Sequence, residues 1–460
     1  MRVDAERSSL TFVRPFLFDP EQVGLALQLV STAKAAGRDG PMPVWERVPF
    51  PTADWLPHIA DSLVSSDGSL AIAEGYRLHN DFVQSDGGLG GRAFEFVPKK
   101  KSAAPVPMEL EEVRLILFRN GVGFLVQRWK PKSDDPAVWL DLQHYGRFAD
   151  PKRGATLRRP NDPAVTSFAA IAAIALTTAD FGEGKQVPIR DVFIAGRTLP
   201  YAVVFFEGAD AAWPREKFLY KLRRLFHASQ THHPTAEQEA VAPPNFHPYL
   251  KDQWFFVSLE GGGFAAADAP ADEFFRHALP GHLEAEYFLL FVFALQQRFT
   301  LMALSADVAK QWKSHPAEQS RRDLRGVFEG IRDRLFDFTA RYQFVQVVQR
   351  ENHHRVYQLW RETFQTKELY EEVCGEVREM SDYLQDRDKQ AREDRVGRLT
   401  LLLTVLIGAP SLAIGFWNIN IKDYTSTEGF SLWEAVGCIV IVAGILAAAF
   451  AVVWYVLRRR

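Results

Sequence analysis

Four polar side chains in an otherwise apolar stretch are the residues of this 460-residue chain best suited to chemistry. Thr400, Thr404, Ser411 and Asn418 follow one another at spacings of 4, 7 and 7, which puts them on one face of a helix. The first three lie inside Leu399–Trp417, a run without a charge and long enough to cross a bilayer. Polar groups in hydrocarbon are costly unless they face protein or a water-filled space. A ring of such faces, one from each of several copies, would line an aqueous path. Hydroxyls bonded back to their own helix are the bland alternative. The pore lining is the favoured expectation, with Asn418, Ile419 and Asn420 forming a turn at its mouth.

The elements that must position these residues are legible around them. A second apolar run, Val436–Leu457, also suits a span, and a short loop, Ile421–Glu434, joins the two. Lys389, Arg392, Arg395 and Arg398 precede the first run, and Arg458, Arg459 and Arg460 follow the second. The loop holds Lys422 against Asp423, Glu428 and Glu434. The bias of basic residues predicts an inner-membrane, multi-pass protein with both termini cytoplasmic and the loop outside. Upstream, no proline occurs between Arg321 and Pro410, so a long helix is expected to feed the first span. Tyr370, Val373, Val377, Met380 and Leu384 keep a 3-4-3-4 spacing. That seam suits a self-associating stalk, or else an amphipathic helix packed on its own domain.

These features together resemble the CorA-type divalent-cation transporters over roughly 321–460. Members carry Gly-Met-Asn at the outer end of the first span. Here Asn420 matches the motif asparagine, Ile419 the middle apolar residue, and Asn418 stands in place of glycine. The resemblance implies a homopentamer in the lipid bilayer, with first spans lining a pore and a cytoplasmic domain that gates it. It implies passive flux of Mg2+ or a related divalent cation such as Zn2+ or Co2+. Asn418, Ile419 and Asn420 would then form the selectivity mouth, Thr400, Thr404 and Ser411 would line the pore, and Asp423 and Glu428 would concentrate cations outside. The altered motif also admits another reading, a membrane effector whose CorA-like pore is opened by a small nucleotide-like signal.

The rest of the chain reads as an α+β cytoplasmic domain followed by a helical stalk and two C-terminal membrane helices. The expected divisions are 1–271 (strands and helices), 272–398 (helical) and 399–460 (the spans at 399–417 and 436–457). Within the first, Val113–Trp129 reads as a hairpin connected by Arg119-Asn120-Gly121, whose Asn-Gly pair suits a type I′ turn. Asp162-Pro163 is expected to start a helix running to about Thr177. The apolar stretch within Glu284–Trp312 is broken by Gln296-Gln297-Arg298 after about ten residues, which favours a buried core helix over a span. A net charge of -3 argues against general nucleic-acid binding. Cys374 and Cys438 give no disulfide framework. The N-terminus lacks a signal-peptide core, so the first 395 or so residues are expected in the cytoplasm. Arg147, Lys152, Arg153, Arg158 and Arg159 form a basic loop suited to a phosphate-bearing ligand, or simply a solvated face. His227, His232, His233 and His247 match no metal-ligand spacing, and His353 and His354 should point apart. No nucleophile-base set or nucleotide loop is present, so an enzyme is not expected.

Overall fold

In a computed structural model of the chain, the described residues are 2–423, except 38–39, 64–70, 100–102, 151, 161, 163, 193–195, 208–214, 232–234, 236–239, 242–243, 268–269, 271 and 314–320. Beyond 423 they are 433, 436, 437, 440–444, 447, 448, 450 and 451, all helical. Residues 1–376 form one compact unit and 377–460 a second.

The first unit is built on a sheet whose main path holds ten strands: β1 (Ser9–Leu17), β2 (Ala93–Val97), β3 (Val106–Phe118), β4 (Val122–Pro131), β5 (Thr156–Arg158), β6 (Val165–Thr166), β7 (Leu199–Glu207), β8 (Phe246–Leu250), β9 (Gln253–Ser258) and β10 (Gly261–Ala267). Their spatial order is β6-β5-β2-β3-β4-β1-β7-β10-β9-β8. All neighbours on this path run antiparallel except β7 and β10, which are parallel. The central strands β1 and β7 are apolar almost throughout and buried along nearly their whole length, the pattern of strands covered on both faces.

Helix α1 (Pro136–Gly146) and helix α2 (Phe168–Thr178) follow β4 and β6. Alternating side chains divide the sheet between its two covers. Phe12 and Trp129 meet Phe168 of α2, with ring centroids 4.6 and 5.1 Å apart. Phe118 and Tyr201 point the other way, onto Phe293 and Phe291 at 5.5 and 5.4 Å. Those partners belong to α4 (Phe288–Lys313), which follows α3 (Arg215–Arg224) in the chain. The helical run Phe274–Lys310 is long and apolar enough to cross a membrane, but 83% of its most apolar window is buried inside the protein. It is a core helix, as the interruption at Gln296-Gln297-Arg298 suggests. Those three residues are themselves buried. Gln297 donates to the Tyr342 carbonyl (2.7 Å) and the Tyr357 hydroxyl (2.8 Å), and Arg298 to the Leu259 carbonyl (2.7 Å).

Three local expectations change. The β3–β4 hairpin forms with the expected connection Arg119-Asn120-Gly121, but only Gly121 has positive φ (+85°). A type I′ turn needs two such residues, so the three-residue loop with a left-handed glycine takes its place. A Cβ at Gly121 would lie 2.4 Å from the Phe18 carbonyl oxygen. The helix expected from Asp162 begins at Phe168, because Val165–Thr166 pairs with β5 and the Ser167 hydroxyl accepts from the Ala170 amide as cap. The long helix from Arg321 is three helices: α5 (Arg321–Arg341), α6 (Glu351–Thr363) and α7 (Thr366–Asp423). Tyr342 to Arg350 break the first join, and Gln365, with φ +52°, breaks the second.

The seam at the start of α7 is used within the chain. Val373 is fully buried, the Tyr370 hydroxyl bonds Thr339 (3.2 Å), and the Tyr370 ring meets Phe338 at 6.4 Å. Tyr370 and Val373 therefore pack on their own body rather than on a second copy.

Candidate functional site

Two regions carry the side chains singled out by chemistry, and they lie in different units. In the second unit, Thr400, Thr404 and Ser411 all sit on α7. The Thr404 hydroxyl donates to the Thr400 carbonyl (2.8 Å) and the Ser411 hydroxyl to the Ile407 carbonyl (2.7 Å). Both hydroxyls are therefore satisfied by their own helix. The backbone stays helical through Asn418, Ile419 and Asn420 to Asp423, where a turn is expected from the motif. Glu428 and half of Val436–Leu457 lie outside the described residues. Around the hydroxyls, Leu399, Leu403 and Ile407 expose 59, 57 and 64% of their surface. Among the described residues of the second unit, none covers these three side chains.

The first unit holds a cleft of about 520 Å³ lined by Arg147, Arg197, Arg223, Arg224 and Glu260 among others. Each arginine is fixed by a local device. Arg147 caps the C-terminus of α1. A short backbone ladder ties it to the segment before β7: Phe148 bridges Arg197, the Thr198 amide donates to the Arg147 carbonyl (3.0 Å), and the Ala149 amide to Gly196 (2.8 Å). Arg223 and Arg224 end α3, where cations complement the helix dipole. Leu225 then turns the chain with φ +55°. Glu260 lies in the β9–β10 turn, its amide donating to the Ser258 hydroxyl (3.4 Å).

The charges converge unequally. Arg147 and Arg197 both donate to the Glu260 carboxylate, the latter at 3.2 Å. Guanidiniums of Arg147, Arg153 and Arg197 also lie over the Phe148 ring, 4.8, 4.8 and 5.2 Å from its centre. Arg223, only 8% exposed, donates to the Asn245 side chain (2.9 Å). The Nε atoms of Arg147 and Arg223 are buried without a hydrogen-bond partner. Burial pulls both guanidiniums below their ordinary pKa, and Arg224 adds to the effect on Arg223. Such groups remain charged at neutral pH.

Helix α1 is tied to the segment that follows α3. Asp141 accepts from the Ala228 amide (2.7 Å), and His144 Nδ1 donates to the Leu225 carbonyl (2.7 Å), since a carbonyl can only accept. Desolvation and the neighbouring Arg147 lower the His144 pKa to about 4, against the opposing effect of that hydrogen bond.

Of the basic loop read from the sequence, only Arg147 lines the cleft. Arg158 pairs with Glu95 (2.7 Å), Arg159 donates to the Leu89 carbonyl, and Lys152 is exposed. Arg197, Arg223, Arg224 and Glu260 escaped the sequence reading as a set, because Arg215–Arg224 is basic in the sequence without any sign of its partners. His353 is buried against Glu286 (3.1 Å) and stacks on Tyr287 at 4.2 Å. His227 stands 5.0 Å from the His144 ring, and His232 and His233 lie outside the described residues. Among the described residues, no group of three His, Cys, Asp or Glu could hold a metal ion.

No family model matches the chain, and no curated protein does. Among solved structures, the complete structure of the CorA magnesium transporter from Methanocaldococcus jannaschii matches with 11% identity. The match covers 59% of this chain and 94% of that one, at a TM-score of 0.21. That score is too low to establish a shared fold.

Proposed function

We propose that this chain is a subunit of a membrane channel for divalent cations. One observation carries the reading: α7 presents Leu399, Leu401, Leu403 and Ile407 uncovered, each at least 44% exposed. Burying one such side chain is worth about 1.5–3 kcal/mol, so four left in water would be a heavy cost that lipid or a ring of partner helices removes. Lys389, Arg392, Arg395 and Arg398 just before them suit the cytoplasmic headgroup layer. In this reading the chain forms a homo-oligomer, a pentamer by the sequence resemblance, with first spans around the pore. Thr400, Thr404 and Ser411 line it, Asn418, Ile419 and Asn420 form its mouth, and Asp423 and Glu428 draw cations to it. Magnesium sheds water reluctantly, so amide and backbone oxygens at the mouth would hold the hydrated ion. A divalent ion moving inward gains about 4.6 kcal/mol per 100 mV, twice the single-charge value. No further energy source is required.

A second reading, in which a small phosphate-bearing ligand opens the pore, is favoured by the arginine cleft. Both are tested in proteoliposomes by Mg2+, Co2+ and Zn2+ flux with oligomeric mass measured alongside. Flux that Asn420→Ala reduces supports the channel, and undiminished flux in that variant removes the mouth from 418–420. A closed monomer without flux refutes the channel itself.

A further inference from the structure

We infer that the arginine cleft of the first unit binds the phosphate group of a small phosphomonoester, with Arg223 and Arg224 as its principal ligands. Among the described residues, the cleft sets four guanidiniums against one carboxylate. Glu260 already serves Arg147 and Arg197. Among the described residues, neither Arg223 nor Arg224 forms an ion pair, and Arg223 keeps a buried, unbonded Nε while 8% exposed. A buried cation without a counter-charge is strongly unfavourable unless an anion joins it. The planar fork of arginine matches phosphate oxygens in pairs, which ammonium groups cannot do.

The rest of the wall says what the phosphate is attached to. At about 520 Å³ the space lies within the ~300–1,000 Å³ of small-ligand sites and exceeds what a bare phosphate fills. Leu225, Phe226 and Val257 supply an apolar side for the organic part. The shared chemistry is a phosphate monoester, whether soluble or the headgroup of phosphatidic acid. The inference stands apart from ion conduction, since every lining residue belongs to the first unit.

The test is calorimetric titration of the full chain in detergent with inorganic phosphate, against chloride at equal ionic strength. Saturable phosphate binding is expected. Arg224 is exposed, so Arg224→Gln should fold normally and weaken binding about tenfold, the loss of one charged hydrogen bond. Arg158→Gln, whose partner is Glu95, should bind as the wild type does. Repeating the titration in phosphatidylcholine nanodiscs with and without phosphatidic acid separates the sources. Competition by the lipid, lost in Arg224→Gln, assigns a headgroup; its absence assigns a soluble ester. Phosphate binding no better than chloride, or unaltered in Arg224→Gln, overturns the inference. Flux is not read, so a failed channel would leave this result untouched.

Discussion

Replacing Glu260 by Gln should move stability and anion binding in opposite directions. The carboxylate is 41% exposed, while the Arg147 and Arg197 side chains it serves are 11 and 21% exposed. At 3.2 Å and an effective dielectric of ~20, its attraction to Arg197 alone is about 5 kcal/mol before desolvation is subtracted. Breaking a fully buried pair costs about 3–5 kcal/mol and an exposed one about 0–1. The intermediate exposure here places the cost at about 2 kcal/mol. For a unit of this size, 1–376, that is roughly 3 °C in Tm. The same change removes the one carboxylate that lines the cleft among the described residues, so phosphate should bind more tightly and restore part of the loss. Thermal melts of the wild type and Glu260→Gln, in chloride and in phosphate at equal ionic strength, give both quantities. The phosphate-induced rise in Tm should be larger in the variant. Equal rises, or no fall in chloride, would refute the charge accounting of the cleft.

Acid should loosen the same region through His144. Its folded pKa of about 4 lies below the unfolded value of 6.5, so the unfolded state binds the proton first. The contribution is present in full above pH 6.5 and is lost as pH falls toward 4; after allowing for solvent on the half-buried ring it is about 1–2 kcal/mol. Urea midpoints measured from pH 7 to 4 should show it, and His144→Gln should flatten the curve over that range. In the sheet, Gly263→Ala should cost at least about 3 kcal/mol, because its φ is +153° and the new Cβ would lie 1.8 Å from the Ala202 carbonyl oxygen. Wild-type solubility and melting of that variant would contradict the β7–β10 register. Leu403→Arg should cost about 2.5–3.5 kcal/mol of insertion and shift protein out of the membrane fraction. An unchanged fraction would remove Leu399–Trp417 as a span.

Sequence and tertiary structure divide this protein at the range of the interactions involved. Local patterns were legible: the β3–β4 hairpin and the burial of the helix carrying Gln296-Gln297-Arg298. Each depends on neighbours within a few residues, or on the length of an apolar run. Where local signals competed, the sequence misled. Asp162-Pro163 offered a helix start, yet pairing of Val165–Thr166 with β5 postponed the helix to a better cap at Ser167. The seam at Tyr370 and Val373 has the spacing of a coiled coil, and spacing cannot say which surface will cover it. Here α5 and its own body do.

By itself the sequence determined the composition of the C-terminal stretch: apolar runs, flanking arginines and the Thr400, Thr404, Ser411 stripe, because hydropathy is a property of consecutive residues. Only the tertiary structure decided that Arg147, Arg197, Arg223, Arg224 and Glu260 share one cleft. The Arg147–Glu260 contact spans 113 residues, closed by the pairing of β7 with β10 and by α1 packing on the end of α3. A charge's partner is set by where sheet registry delivers it, and no periodicity in the chain encodes that distance.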